Sequence, residues 1–229
     1  MAPGGYAAIL ADPATLGPIA LSLKVAAVTL PLFALSGILL GYLLGRWQGR
    51  ALAVLDFLVS LPLIFPPIAT GFLLLLVLGR RSLVGGALKS LFGFDLIFSF
   101  WGVVTAALVA GLPLVVKPVQ AAIRAETLRH IEASYVLGKS PAVTFFRVVL
   151  PGIRKSVLAG LFLAFGRSMG EVGVTLMLGG NIIGRTNTVS LEIYNAVFSG
   201  EFDRALVLSV LLGATSLLLI LLVRRLSAE

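Results

Sequence analysis

Long apolar stretches separated by short polar ones dominate the chain. Five of them are long enough to cross a bilayer as helices, which takes about 20 residues each; they cover about 19–44, 52–78, 98–116, 157–178 and 205–223. Helices satisfy their own backbone groups where no water reaches them. The pattern therefore predicts an all-α, polytopic membrane protein with about five transmembrane helices, forming one transmembrane domain over residues 1–229.

The composition supports a membrane location and narrows the possible chemistry. Hydrophobic residues make up 59% of the chain and charged residues 12%, with a mean hydropathy of +1.07, which excludes an ordinary soluble domain. The chain has no cysteine and one histidine, and it lacks an HExxH motif. A metal site, a thiol nucleophile and a disulfide are therefore not expected, and no cofactor is predicted.

Basic residues are distributed unequally between the two sides that the five spans define. Of the 18 Lys and Arg residues, eleven lie on one side, five on the other and two within spans. Because cytoplasmic loops near span ends carry the excess of positive charge, the N-terminus is predicted outside and the C-terminus in the cytoplasm. Anionic lipid then accounts for the net charge of +8, so no nucleic-acid partner is expected.

The longest predicted cytoplasmic segment, residues 118–156, contains the sequence EASYVLGKSP at residues 132–141. Gly138, Lys139 and Ser140 match the end of the phosphate-binding pattern G-x-x-x-x-G-K-[ST]. However, Ala133 occupies the position of the first glycine, and the preceding residues have a helical pattern where the motif needs a strand. A nucleotide site is therefore not predicted here.

The same residues instead predict a bend between two short helices. Gly138 suits the left-handed conformation that ends the first helix, Ser140 caps the second, and Pro141 occupies its first turn. The pair Leu150 and Pro151 is expected to close the second helix. Two interpretations remain open: a helix pair lying on the cytoplasmic membrane surface, or a docking element for a soluble partner.

The run EASYVLGKSPAVTFFRVVLP resembles the EAA loop of the membrane subunits of ABC importers. The motif positions that match are Glu132, Ala133, Gly138, Leu150 and Pro151, and Ser134 stands in place of the second alanine. The resemblance implies that this loop forms the coupling helices that seat in a cleft of a separate ATP-hydrolysing subunit. The residues implied at that contact are Glu132, Ala133, Ser134, Gly138, Lys139, Ser140 and Pro141.

Two further segments resemble the molybdate and tungstate importers within this family. Residues 61–85 are similar to that group's second span and following loop, and residues 166–194 to its fourth span and outer loop. Sulfate importers share the EAA loop, but the N-I-x-G-R-T sequence at residues 181–186 is closer to the molybdate group. The resemblance implies import of a tetrahedral oxyanion, most simply molybdate or tungstate, with sulfate or thiosulfate as the alternative.

The resemblance also implies the partners and the mechanism. We expect alternating access in a prokaryotic inner membrane, driven by two ATP-binding cassette subunits and supplied by an extracytoplasmic substrate-binding protein. The chain itself is then a transport subunit, and ATP hydrolysis belongs to its partner. Five spans are few for enclosing a pathway, so a second copy of the chain is expected, related by two-fold symmetry and surrounded by membrane lipid.

The fourth apolar stretch contains two charged residues, Arg167 and Glu171, at helical spacing i and i+4. They share one face of a helix and can neutralise each other. Either they form a structural pair, or Arg167 offers positive charge to the oxyanion's path while Glu171 holds it or shapes a gate. Ser168, between them, is included in the candidate pathway. An intramembrane enzyme is disfavoured, because no nucleophile with its base and no metal set accompanies the pair.

Prolines and glycines mark two other features of the predicted spans. Pro62, Pro66 and Pro67 remove backbone donors from the second stretch and should bend or interrupt it. Such breaks are tolerated where protein or a water-filled cavity covers the freed groups, so Pro66 and Pro67 are candidates for the pathway, with a simple kink as the alternative. In the first stretch, glycine recurs every fourth residue and predicts close helix packing; these positions are Gly37, Gly41 and Gly45.

Overall fold

The computed structural model describes residues 4–93 and 95–228, and every regular element in this part of the chain is a helix. The helices are α1 (Gly4–Ala11), α2 (Pro13–Arg46), α3 (Arg50–Ile64), α4 (Pro67–Leu78), α5 (Leu83–Phe92), α6 (Phe100–Ala122), α7 (Leu128–Val136), α8 (Pro141–Thr144), α9 (Leu150–Met169), α10 (Gly173–Gly179), α11 (Val189–Phe198) and α12 (Phe202–Ala228). Two π-helical turns, Ile123–Thr127 and Phe145–Val149, join α6 to α7 and α8 to α9. The predicted all-helical fold is confirmed.

Helix α6 lies at the centre of the molecule, between α2 and α9. The largest buried cluster joins these three helices and the π-helical turns, and its members include Phe33, Val115, Val119, Ile153 and Ala164. On another side, α6 packs against α10, which in turn packs against α4, and a second cluster here contains Ala106, Val174 and Leu178. The core therefore forms where apolar faces of these long helices meet.

The glycine repeat of α2 lies at the contact with α6, as predicted from the four-residue spacing. Gly37, Gly41 and Gly45 face Val115, Val119 and Ile123 in turn. A Cβ atom added to Gly41 would lie 2.5 Å from Val119 Cγ1, and one added to Gly45 would lie 2.9 Å from Ile123 Cβ. Because no side chain larger than hydrogen fits, the glycines allow the two helices to approach closely.

Within the part of the chain that the structure describes, three helical segments are individually long and apolar enough to cross a membrane: Pro13–Arg46, Phe100–Ala125 and Pro141–Met169. Helices Pro67–Leu78 and Leu83–Leu91 pass the same criterion together, with a bend of 55° between them. The predicted span 52–78 is divided into α3 and α4. Pro66 is extended and Pro67 begins α4, and residues preceding a proline are driven out of the helical conformation. Pro62 remains inside α3, so it does not interrupt the helix.

The predicted span 157–178 also differs from the structure. A continuous helical segment already begins at Pro141, runs through the π-helical turn Phe145–Val149 and ends at Met169. Leu150 and Pro151 therefore do not close a short helix as predicted. The wider π-helical turn directly before Pro151 absorbs its missing backbone donor. After Met169 the chain breaks and resumes as the short helix α10.

The predicted segment 118–156 consequently forms the tip of a helical hairpin, in which the two predicted short helices continue into longer ones. On one side, α6 continues through the turn Ile123–Thr127 into α7; on the other, α8 continues into α9. The bend itself is where the sequence placed it, because Gly138 has a φ of 70° and α8 begins at Pro141.

Candidate functional site

The two helix breaks meet in the structure. Gly173, the first residue of α10, packs against the start of α4, so that an added Cβ atom would lie 2.9 Å from Pro67 Cβ and 3.0 Å from Ile68 N. One turn further along α4, a Cβ atom on Gly71 would lie 2.9 Å from Met177 Cβ. Two glycines thus let α4 and α10 touch along their backbones, and the candidate residues of both spans belong to one region.

Arg167 and Glu171 form an ion pair at this junction. Glu171 Oε2 accepts a hydrogen bond from Arg167 Nη1, and Glu171 Oε1 accepts one from the backbone N–H of Val174, at 2.7 Å. The Glu171 side chain is 1% exposed, whereas that of Arg167 is 34% exposed. The carboxylate therefore neutralises a cation and also satisfies a free amide in the first turn of α10. Part of the guanidinium remains open to its surroundings.

The other candidate residues of this region have different surroundings. Ser168 is buried and its hydroxyl donates to the carbonyl of Phe165, at 2.9 Å, within α9. Pro66 and Pro67 are both exposed at the start of α4. The carbonyl of Pro66 accepts hydrogen bonds from the backbone N–H and the hydroxyl of Thr70, at 2.9 and 3.2 Å. The break before α4 is thus also stabilised locally.

Helix α11 contacts the break between α9 and α10 through a buried serine. The Ser190 hydroxyl donates to the backbone carbonyl of Met169, the last residue of α9. At the adjacent position, the N–H of Val189 donates to Ser22 Oγ of α2, at 3.0 Å. A side chain of α11 thus satisfies a carbonyl that the helix end leaves free.

A buried polar network fixes α11 to α12. Asn187 Nδ2 donates to Glu192 Oε2 at 2.6 Å, and Arg204 Nη2 lies 2.7 Å from Glu192 Oε1. Sequence reasoning did not identify α11 or this network. One signal was available: Thr188 precedes an apolar run, and its hydroxyl caps the helix by accepting from the N–H of Leu191 at 3.4 Å.

The hairpin tip has the local geometry that its sequence predicts. Gly138 adopts the left-handed conformation, and Ser140 Oγ accepts from the N–H of Val143, at 3.4 Å. Ser134 is buried, and its hydroxyl lies 2.9 Å from Thr144 Oγ1, which ties α7 to α8. The remaining residues implied at the coupling contact are exposed: Glu132, Ala133, Gly138, Lys139, Ser140 and Pro141.

Large apolar side chains are exposed at the same tip. Val136 is 88%, Leu137 74% and Phe146 66% exposed. Exposed apolar residues grouped at one end of a molecule are typical of an interaction surface. Among residues 4–93 and 95–228, no group of three or more His, Cys, Asp or Glu side chains could hold a metal ion.

Comparison with known proteins places this architecture in a family. A family model described as "Binding-protein-dependent transport system inner membrane component" matches residues 37–228. That match covers most of the chain. The chain belongs to this family of transport components. The resemblance to ABC importer membrane subunits is thereby confirmed, as is a location in the inner membrane.

Curated relatives of this transport component are molybdenum transport permeases. It is 36% identical over 226 residues to the molybdenum transport system permease protein ModB of Escherichia coli K12, covering 96% of this chain and 98% of that protein. It is 36% identical over 190 residues to ModB of Azotobacter vinelandii, covering 83% and 84%. It is 35% identical over 214 residues to ModB of Mycobacterium tuberculosis H37Rv, covering 93% and 80%.

A solved structure has the same fold as this transport component. It is a bacterial ABC transporter involved in the import of the acidic polysaccharide alginate. The TM-score is 0.75, and the match covers 97% of this chain and 82% of that chain. Because the two sequences are 17% identical, the likeness concerns the fold alone.

Proposed function

We propose that the chain is the transmembrane permease subunit of an ATP-driven importer that translocates molybdate or tungstate by alternating access. The observation that carries this proposal is the near full-length similarity to the molybdenum transport permease of Escherichia coli. It is supported by a fold in which a charged residue pair lies at a helix break and an exposed tip lies at the end of a long hairpin. The substrate would arrive from an extracytoplasmic binding protein.

Uptake of labelled molybdate by the reconstituted complex tests the substrate. We expect unlabelled tungstate to compete at concentrations similar to molybdate, because both ions are tetrahedral and doubly negative. Sulfate should compete only at concentrations roughly a hundredfold higher, a difference of about 2.7 kcal/mol in binding free energy. Equal competition by sulfate would assign the chain to a sulfate or thiosulfate importer instead.

The proposed assembly contains two ATP-binding cassette subunits, and the hairpin tip is the proposed contact of the chain with such a subunit. Its exposed residues Glu132, Ala133, Gly138, Lys139, Ser140 and Pro141 flank the exposed apolar residues Val136 and Leu137 in the sequence. Ser134, which is buried against Thr144, would act by holding the tip in shape. Burial of apolar side chains is the main favourable term in association of this kind. ATP hydrolysis would take place entirely in the partner subunit.

Replacing one exposed apolar residue of the tip tests this contact. Leu137→Glu should lower the yield of copurified ATP-binding subunit roughly tenfold, because a charge would be desolvated in the interface. Leu137 is 74% exposed, so the permease itself should fold normally. The matched control is Ile183→Glu, which alters an 80% exposed residue in the loop between α10 and α11. Equal yields from both variants would exclude the tip as the docking surface.

The proposed pathway passes the junction of the two helix breaks. The exposed part of the Arg167 guanidinium would attract the oxyanion, and Glu171 would hold the guanidinium in place. Pro66 and Pro67 would shape the opposite side of the gate, while Ser168 would stay bonded within its own helix. Uptake by Arg167→Gln in assembled complexes should fall roughly tenfold or more. A normal rate would remove Arg167 from the pathway.

The proposed orientation places the N-terminus outside and the C-terminus and hairpin tip in the cytoplasm. Because the chain contains no cysteine, single cysteines report their side of the membrane without background. An impermeant maleimide should label Ile183→Cys in intact cells but label Lys139→Cys only after the membrane is permeabilised. The reverse result would invert the orientation.

A further inference from the structure

The break between α9 and α10 is stabilised by two side chains that act on its two ends. Glu171 accepts from the free N–H of Val174 at the start of α10, at 2.7 Å. Ser190 donates to the carbonyl of Met169 at the end of α9. Glu171 belongs to the break itself, but Ser190 belongs to another helix. One of the two bonds therefore depends on the position of α11.

A short turn closed by its own hydrogen bonds directly precedes helix α11. The carbonyl of Ile182 accepts from the N–H groups of Arg185, Thr186 and Asn187, at 3.0, 2.8 and 3.2 Å. The Thr186 hydroxyl accepts in return from the N–H of Ile182, at 2.9 Å. Thr186 and Asn187 are buried, whereas residues 182–185 are exposed. Because the turn is closed by its own bonds, a force on its exposed side would move α11 as well.

Side-chain hydrogen bonds and an ion pair help to hold α11 in place. Ser22 of α2 binds the N–H of Val189, at 3.0 Å, and Glu192 is held by Asn187 and Arg204. Ser190 itself is buried, so its hydroxyl has little access to water as a substitute partner. Moving α11 would leave the Met169 carbonyl without its donor, which is unfavourable in an apolar environment.

We infer that Ser190 is a positioning residue. Its bond to Met169 keeps the α9–α10 break, and with it the Arg167–Glu171 pair, in the present arrangement. A partner protein that displaces the turn at residues 182–186 would break this bond. The partner is a protein that engages exposed Ile183 and Arg185, and therefore one with an apolar and acidic surface. This inference rests on the proposed transport function, in which such a partner delivers the substrate. It adds a mechanical connection from the exposed turn to the charged pair.

Thiol labelling in the cysteine-free chain tests the connection without any need for transport. A cysteine replacing half-buried Val172 lies within the break and reports its opening. In that background, Ser190→Ala should raise the labelling rate by a small maleimide roughly fivefold or more, because a buried acceptor loses its donor. Ser190→Thr, which keeps a hydroxyl donor, should label at nearly the parent rate. An unchanged rate in Ser190→Ala would overturn the inference.

Two further variants control this experiment. Ser209→Ala removes a hydroxyl that donates to the carbonyl of Ala205 within α12, at 2.7 Å, and should leave the labelling rate unchanged. Ser22→Ala removes another side-chain bond to α11, the one to the N–H of Val189, and should raise the rate as Ser190→Ala does, which decides the question if Ser190→Ala does not fold. Equal rates in Ser22→Ala and Ser209→Ala would contradict the role of α11.

ATP hydrolysis by the complete reconstituted complex tests the link to transport. Ser190→Ala should raise hydrolysis in the absence of the binding protein roughly fivefold, and the loaded binding protein should then stimulate it less. Changed labelling with normal stimulation would overturn the role of Ser190 in transport. If the parent complex takes up no oxyanion, the proposed function fails, and the labelling result still decides whether Ser190 holds the break.

Discussion

At the residue scale, Glu171 is a buried side chain held by two hydrogen bonds. An isolated carboxylate that is 1% exposed would carry a large desolvation cost. Two donors offset that cost, the Arg167 guanidinium and the N–H of Val174. The desolvation cost of Arg167 is smaller, since a third of its side chain is exposed. The structural and the transport interpretation of the pair are therefore compatible. Glu171 holds the Arg167 guanidinium in place, and the exposed part of that guanidinium could attract an anion.

Removing the Glu171 carboxylate should cost more stability than removing an exposed one. Glu171→Ala leaves a cation and a helix N-terminal amide without their acceptor, so we expect a loss of about 2 kcal/mol in the free energy of unfolding. Glu171→Gln keeps an acceptor oxygen and should lose less. Thermal unfolding in detergent measures both. Glu201→Ala, which removes an exposed carboxylate 3.4 Å from Arg204, serves as control and should cost below about 1 kcal/mol.

Local spacing explains which site residues the sequence predicted. Arg167 and Glu171 are one helical turn apart, so their pairing follows from helix geometry alone. The Ser190–Met169 bond joins residues 21 positions apart, and the Ser22–Val189 bond joins residues 167 positions apart. Such contacts depend on how α11 packs against α2 and α9, and no pattern within one segment encodes that packing.

At the element scale, prolines act differently according to their neighbours. Pro18, Pro31 and Pro113 lie inside continuous helices. The adjacent Pro66 and Pro67 end one helix and begin the next, because each restricts the residue before it. Single prolines in membrane helices are tolerated when neighbouring groups satisfy the freed carbonyls. The sequence therefore predicted that a break was possible but could not decide which proline would cause it.

The glycine contact between α2 and α6 can be tested with two Gly→Ala substitutions in α2 that should change the stability in opposite directions. Gly41→Ala would place a Cβ atom 2.5 Å from Val119 Cγ1, so we expect a destabilisation of about 1–3 kcal/mol from overpacking. Gly17 has no atom within 4 Å of an added Cβ, so Gly17→Ala should stabilise by about 0.5–1 kcal/mol through helix propensity. Denaturation of both variants and the parent chain measures these changes in stability. Effects of the same sign would mean that the close approach is absent in the membrane.

The bend between α7 and α8 depends on one backbone conformation. Gly138 has a φ of 70° with no atom within 4 Å of an added Cβ, so only its conformation opposes a side chain. Gly138→Val should cost about 1–2 kcal/mol locally and reorient the tip, which would uncouple ATP hydrolysis from uptake in reconstituted vesicles. Gly138→Asn, which tolerates the left-handed conformation, should remain coupled. Normal coupling in the valine variant would show that the bend transmits nothing.

At the scale of the whole molecule, one surface is too apolar to face water. Helices α3 and α4 bury few residues of their own, and large side chains stand exposed along both, including Phe57, Ile64, Ile68 and Phe72. Lipid or a second copy of the chain must cover them. A single copy also leaves Arg167 partly open at the surface of α9. A two-fold assembly with α9 facing the axis would enclose both copies of Arg167 and give a doubly charged oxyanion two cations.

This arrangement makes cysteine positions on α9 informative. Ala159, Leu163 and Arg167 follow each other at four-residue intervals, the first two exposed and the third partly exposed, so they share one face of the helix. If that face lies near a two-fold axis, each residue approaches its own symmetry mate. Ala159→Cys or Leu163→Cys should then form a covalent dimer with a short bis-maleimide in native membranes. Leu23→Cys, on an exposed position of α2, controls for random collision. If both α9 cysteines are labelled by a monofunctional maleimide but neither forms a dimer, two copies of α9 do not enclose the pathway.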